Sequence, residues 1–87
     1  MNWARRADVV WRAVPGYLVV ATIDGDVVEI YGPGSDVWSL LDAPIADTAI
    51  VAHLSQRYGA AIDEIGRDVD ALLARLQDFG CVESIAA

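Results

Sequence analysis

Apolar positions follow two different rhythms along this chain. Over the first third they come in short β-branched and aromatic runs cut by turn dipeptides. Further on they recur every three to four residues. Residues 9–14 (VVWRAV) form the first run, and Pro15-Gly16 stops it. Residues 17–23 (YLVVATI) are the clearest strand. Asp24-Gly25 marks a hairpin turn, and residues 26–31 (DVVEIY) return as a third strand. A two-residue turn sets Ile23 opposite Asp26, Ala21 opposite Val28 and Val19 opposite Ile30. With Tyr17 these residues make the better core face, because Val28 and Ile30 bracket no charge on that side. The opposite face (Leu18, Val20, Thr22, Val27, Glu29, Tyr31) is more apolar than a solvated face requires. Either something covers it or the sheet twists enough for both faces to contribute.

Gly32-Pro33-Gly34 breaks the third strand. Ser35 or Asp36 caps a short helix over roughly residues 35–42, carrying Val37, Trp38, Leu40 and Leu41, and Pro44 ends that region. A second helix is expected over about 47–58, with Asp47 as N-cap, Ile50, Val51, Leu54 and Tyr58 as its stripe, and Gly59 just past its end. The third and longest helix, about 63–79, opens on Asp63 and Glu64, where backbone N–H groups favour negative charge. Its stripe is Ile65, Val69, Leu72, Leu73, Leu76 and Phe79, and Gly80 stops it. Gly66 weakens it by roughly 1 kcal/mol relative to Ala. Residues 81–85 (CVESI) return as a short extended tail. This order predicts an α+β fold: a three-stranded antiparallel sheet followed by three helices, in one domain spanning 1–87.

Composition adds further constraints. The chain has 87 residues, of which 55% are hydrophobic, high for so short a length. Part of that excess is either a rich core, aided by homodimerisation, or a partner surface. Thirteen acidic residues stand against six basic ones, all Arg, for a net charge of −7. Nucleic acid and anionic membranes both demand cations, so both are disfavoured as partners, and a peptide or protein with some basic character fits better. One cysteine allows no intrachain disulfide and suits a reducing cytoplasm. No apolar h-region or membrane-length stretch is visible.

The catalytic inventory is nearly empty. His53 reads as a surface or boundary residue and Cys81 as a semi-buried hydrophobe. Asp63, Glu64, Asp68 and Asp70 read as a solvated helix face with no calcium-type loop. Gly32 and Gly34 frame a proline, which is no phosphate-cradling pattern. No enzyme activity, metal or cofactor is expected. Three helices beside a small sheet also suggest a winged helix-turn-helix regulator of DNA. Against that, residues 60–79 carry Asp63, Glu64, Asp68, Asp70 and Asp78 with only Arg67 and Arg75. The third strand has no Pro or Lys to blunt it. At a sheet edge it can take up an extended peptide; otherwise it is central or covered.

The stretch VVEIYGPGSDVWSLLDAP, residues 27–44, carries a family resemblance: Glu29-Ile30, Gly34, Val37-Trp38 and Leu40-Leu41-Asp42 in order. RRADVVWRAV at the start, LSQRYG at 54–59 and DVDALLARLQDFGCV at 68–82 extend it from Arg6 to about Val82. The chain resembles the PqqD-like family, the RiPP recognition elements that bind leader peptides of ribosomally made, modified peptides. Tyr31, Pro33, the Ala46-Asp47 pair and Gly66 depart from its pattern.

The resemblance implies a leader peptide added as a strand against residues 27–31, in the groove shared with the third helix. Val27, Val28, Glu29, Ile30 and Tyr31 would supply the main-chain ladder. Asp68, Ala71, Leu72, Arg75 and Asp78 would supply the helix side, with the Asp68-Ala71-Arg75 shoulder favoured over Asp70, Leu73 and Ala74. Small Ala71 lets a leader approach, and Arg75 can pair with a leader carboxylate. Trp38 reads as a core anchor rather than a leader contact, while Trp3 and Trp11 stay unassigned. Such a protein would hand its peptide to a separate enzyme: a leader peptidase and cyclase, as in lasso peptide biosynthesis, or a radical enzyme, as in pyrroloquinoline quinone biosynthesis. The alternatives are a winged DNA-binding regulator and a non-catalytic structural or dimerisation subunit.

Overall fold

A computed structural model describes residues 1–85. Its elements run β1 (Asn2–Arg5), β2 (Val10–Val14), β3 (Tyr17–Ala21), β4 (Val27–Tyr31), α1 (Pro33–Leu40), β5 (Ile45–Ala46), α2 (Asp47–Tyr58), α3 (Ile62–Asp78) and β6 (Val82–Ile85). The expected meander is present as an antiparallel sheet ordered β2-β3-β4, and all three helices follow it. A second antiparallel sheet, β5-β1-β6, joins the two chain ends to the α1–α2 connection. The returning tail is therefore a paired strand, with Arg5 opposite Val82 and Trp3 opposite Ser84. Strands of two and four residues carry too little pattern to stand out in a sequence.

The β3–β4 register differs from expectation by one residue. The hairpin loop has three residues, not two: Thr22 N–H donates to the Asp26 carbonyl (2.9 Å), and Gly25 N–H donates to the Thr22 carbonyl (3.0 Å). Gly25 sits at φ 90°, where only glycine is unstrained. Asp26 N–H bonds the Thr22 hydroxyl (3.1 Å) instead of the main chain. The side chain of Thr22 thus absorbs the extra residue, as in a turn closed by a glycine bulge. Leu18 consequently pairs with Ile30, Val20 with Val28 and Ala21 with Val27. Leu18, Val20, Val28 and Ile30 form the buried face, while Tyr17, Val19 and Ala21 lie on the outer one. The inward set on β4 is the expected one; that on β3 is reversed. The observed register gathers four large aliphatic side chains on one face and leaves Glu29 in solvent.

These residues pack with Val37, Trp38 and Leu41, Ile50 and Leu54, Val69, Leu73 and Leu76, and Cys81 and Val82 into one core. Trp38 is fully buried at its centre, and Trp3 is 8% exposed on β1. Burying an indole of this size contributes roughly 4–6 kcal/mol at ordinary transfer values. That exceeds the roughly 1–3 kcal/mol lost because neither indole N–H has an acceptor among the described residues. Arg5 secures the β1 end of the core. Its guanidinium lies 4.7 Å from the Trp11 ring centre and 5.0 Å from that of Trp38, and its Nη2 donates to the Trp38 carbonyl (2.6 Å). Trp11 meets Trp38 edge-to-face.

Helix starts differ in detail. α1 begins two residues early: Gly32, at φ 54°, precedes it and Pro33 occupies its first turn, where a missing N–H costs nothing. Ser35 and Asp36 therefore sit inside the helix rather than capping it. Asp47 is the first residue of α2, not its cap, and its carboxylate faces the chain's amino terminus at 3.4 Å. Gly59, at φ 66°, closes α2 as expected.

Candidate functional site

The core line of α3 is Val69, Leu73 and Leu76. It is rotated from the expected line through Ile65, Val69, Leu72 and Leu76, and Phe79, expected in the stripe, is 41% exposed. This rotation shapes the site. Ile65 and Leu72, only partly buried, turn towards β4 and form the apolar floor of a cavity of about 620 Å³. A cavity of that size suits a small ligand or a few side chains of a peptide.

One wall is β4 and the start of α1: Glu29, Ile30, Tyr31, Pro33 and Gly34. The other is α3, through Glu64, Asp68, Leu72 and Arg75, with Leu54 and Tyr58 of α2 closing one end. Of the ten residues expected to receive a peptide, Glu29, Ile30, Tyr31, Asp68, Leu72 and Arg75 line this space. Val27, Val28, Ala71 and Asp78 do not: Val28 is buried in the core, and the other three are exposed outside the cavity. Glu64, Ile65 and Tyr58 belong to the lining and were not expected there. Spacing of three and four from Asp68 along α3 could have identified the first two.

Gly34 makes the corner possible. A Cβ on it would lie 2.8 Å from Ile30 Cγ2 and 3.6 Å from Leu72 Cδ2, so a side chain here would push α1 away from β4. The far rim is tied by charge. Asp36 accepts a hydrogen bond from the Tyr58 hydroxyl and pairs with Arg57 Nε at 3.3 Å. On the near rim, Tyr31 donates to Glu29 (3.2 Å) and stacks on Tyr17 with ring centres 5.0 Å apart. Partial burial, that hydrogen bond and the Glu29 charge all hold the Tyr31 phenol above its ordinary pKa, so it stays a neutral donor. Glu64 and Asp68 against Arg75 leave the α3 wall of the cavity net acidic.

Among the described residues β4 is an edge strand, hydrogen-bonded to β3 alone. Its ladder phase follows from the turns at both ends of β3. Thr22 and Asp26 are a hydrogen-bonded pair, and Val14 and Tyr17 flank a two-residue turn. Antiparallel pairs alternate, so Val28 and Ile30 bond to β3. The N–H and C=O groups of Val27, Glu29 and Tyr31 point to the open edge.

His53 is exposed on α2, and among the described residues no three His, Cys, Asp or Glu side chains come together as a metal-holding group. Cys81 is fully buried, and burial is the main cause that raises its thiol pKa. No described helix is long and apolar enough to cross a membrane.

A family model described as coenzyme PQQ synthesis protein D (PqqD) matches residues 16–82, more than half of the chain. The chain belongs to the PqqD family. No curated protein matches it. Among solved structures it is similar to TbiB1 in complex with the TbiA(beta) leader peptide, with a TM-score of 0.86 and 22% identity over 97% of this chain and 99% of that one. At that identity the likeness establishes a shared α+β fold, the winged helix-turn-helix-like arrangement expected from the element order.

Proposed function

We propose that this PqqD-family chain binds the leader segment of a ribosomally made precursor peptide. The leader adds as a strand to β4, and its side chains enter the cavity between β4 and α3. The observation that supports this reading most is the open edge of β4. Val27, Glu29 and Tyr31 turn their donors and acceptors outward along it, and Glu29 and Tyr31 also line the apolar-floored cavity. Main-chain pairing supplies affinity there, and the cavity selects side chains. Family membership supports it independently, as does the leader peptide bound by TbiB1.

The protein has no catalytic part in this scheme. It acts in the cytoplasm and presents the leader to a separate modifying or processing enzyme, such as a leader peptidase with a cyclase or a radical enzyme. Holding the substrate beside that enzyme replaces a bimolecular encounter by a local one and raises effective concentration. A lasso peptide pathway is the product class proposed. Isothermal titration with the leader of a precursor encoded beside the gene tests the reading. One-to-one binding at micromolar affinity or tighter is expected; no heat at about 100 µM of each component refutes it.

A further inference from the structure

The outer face of the β2-β3-β4 sheet is apolar where a solvated face would be polar. Val10, Val27 and Tyr31 are 70%, 65% and 57% exposed on it, and Val14, Tyr17 and Val19 lie between them, half-buried. Among the described residues of its strands, two charges interrupt this surface. They occupy one row: Arg12 on β2 pairs with Val19 on β3, which pairs with Glu29 on β4. The row therefore reads cation, valine, anion across the sheet.

We infer that this face is the docking surface for a second copy of the chain, related by a twofold axis running along β3. Sheets packed face to face align their strands within about 30° and lie about 10 Å apart. A twofold axis parallel to β3, midway between the sheets, sets β2 of one copy over β4 of the other. Arg12 then meets Glu29 of the second copy and Glu29 meets its Arg12, while Val19 packs on itself at the centre. The alternative axis, across the strands, would oppose Arg12 to Arg12 and Glu29 to Glu29. Charge order thus selects one of two symmetric arrangements. Three strands of five residues bury an area at the low end of interface sizes, so the dimer is weak and concentration-dependent. The main-chain edge of β4 points away from the axis and stays open. The inference therefore does not rest on leader binding.

Sedimentation velocity of the protein alone, over about 10–500 µM at low salt, tests it. A dimer fraction rising over that range is expected. Val19→Lys should abolish it while leaving the circular dichroism melt in place. Arg12→Glu and Glu29→Arg should each weaken it at least about tenfold, since each breaks both symmetric ion pairs and opposes like charges. The double variant R12E/E29R should recover affinity to within about threefold. A monomer at every concentration, a dimer indifferent to Val19→Lys, or a double variant no better than the singles overturns the inference.

Discussion

Proline substitution on β4 separates the strand's two roles. Val28 and Glu29 are adjacent, yet their N–H groups face opposite ways: Val28 bonds to β3, and Glu29 points to the open edge. Proline removes the donor and fixes φ near −65°, which an edge strand tolerates only where the lost N–H faces outward. Glu29→Pro sacrifices one exposed hydrogen bond from Tyr31, worth little in water, and some backbone strain. Its cost to folding is expected to be about 1–2 kcal/mol. Val28→Pro removes a ladder bond, strands a buried carbonyl and disturbs a side chain only 2% exposed, for about 3 kcal/mol or more. The binding consequences are reversed. Glu29→Pro deletes a donor a leader strand would use and places a ring in its path, so leader affinity should fall about 10- to 100-fold, or roughly 1.4–2.8 kcal/mol. Thermal melts monitored by circular dichroism and fluorescence anisotropy with a labelled leader measure both effects. A folded Glu29→Pro variant that binds the leader as tightly as the parent would mean that the leader does not pair with the β4 edge.

Two further predictions concern one corner of the site and the β1 end of the core. Gly34→Ala gains up to about 1 kcal/mol of helix propensity but sets a methyl 2.8 Å from buried Ile30 Cγ2, where overpacking costs about 1–3 kcal/mol. A net loss of about 1–2 kcal/mol should lower Tm by roughly 4–16 °C, and an unchanged or raised Tm in a melt contradicts the account. Arg5→Ala removes the guanidinium between Trp11 and Trp38 and its bonds to the Trp38 carbonyl, for about 2–3 kcal/mol in urea unfolding. Arg5→Lys should restore little, because an ammonium lacks the planar fork that makes these contacts together.

The helical half was legible because its signals are redundant. Three-four spacing, Gly59 and Gly80 all agree about where α2 and α3 lie. The sheet was legible as strands but not as a register. Asp24-Gly25 fits a two-residue turn as well as a glycine-bulge turn, and the choice rests on where the Thr22 hydroxyl finds its donor. That one residue decides which face of β3 enters the core. Trp3, Arg5 and Trp11 were opaque for another reason: their roles depend on β1 meeting β6, residues 2–5 against 82–85, which no local pattern records. For the candidate site, β4 and α3 were proposed from the resemblance. The rotation of α3 that brings Ile65 and Glu64 into the cavity was not, because Leu72 and Leu73 are equally apolar in sequence and only packing separates them.

Hydrogen exchange of individual β4 amides, followed by NMR with and without the leader, reports on strand addition residue by residue. In the free protein the amides of Val27, Glu29 and Tyr31 should exchange fast, while those of Val28 and Ile30, bonded to β3, exchange slowly. On adding leader, the alternate residues Val27, Glu29 and Tyr31 should become protected, with Val28 and Ile30 little changed. Binding that leaves those three amides unprotected, or that protects β2 or α2 instead, would contradict strand addition at β4.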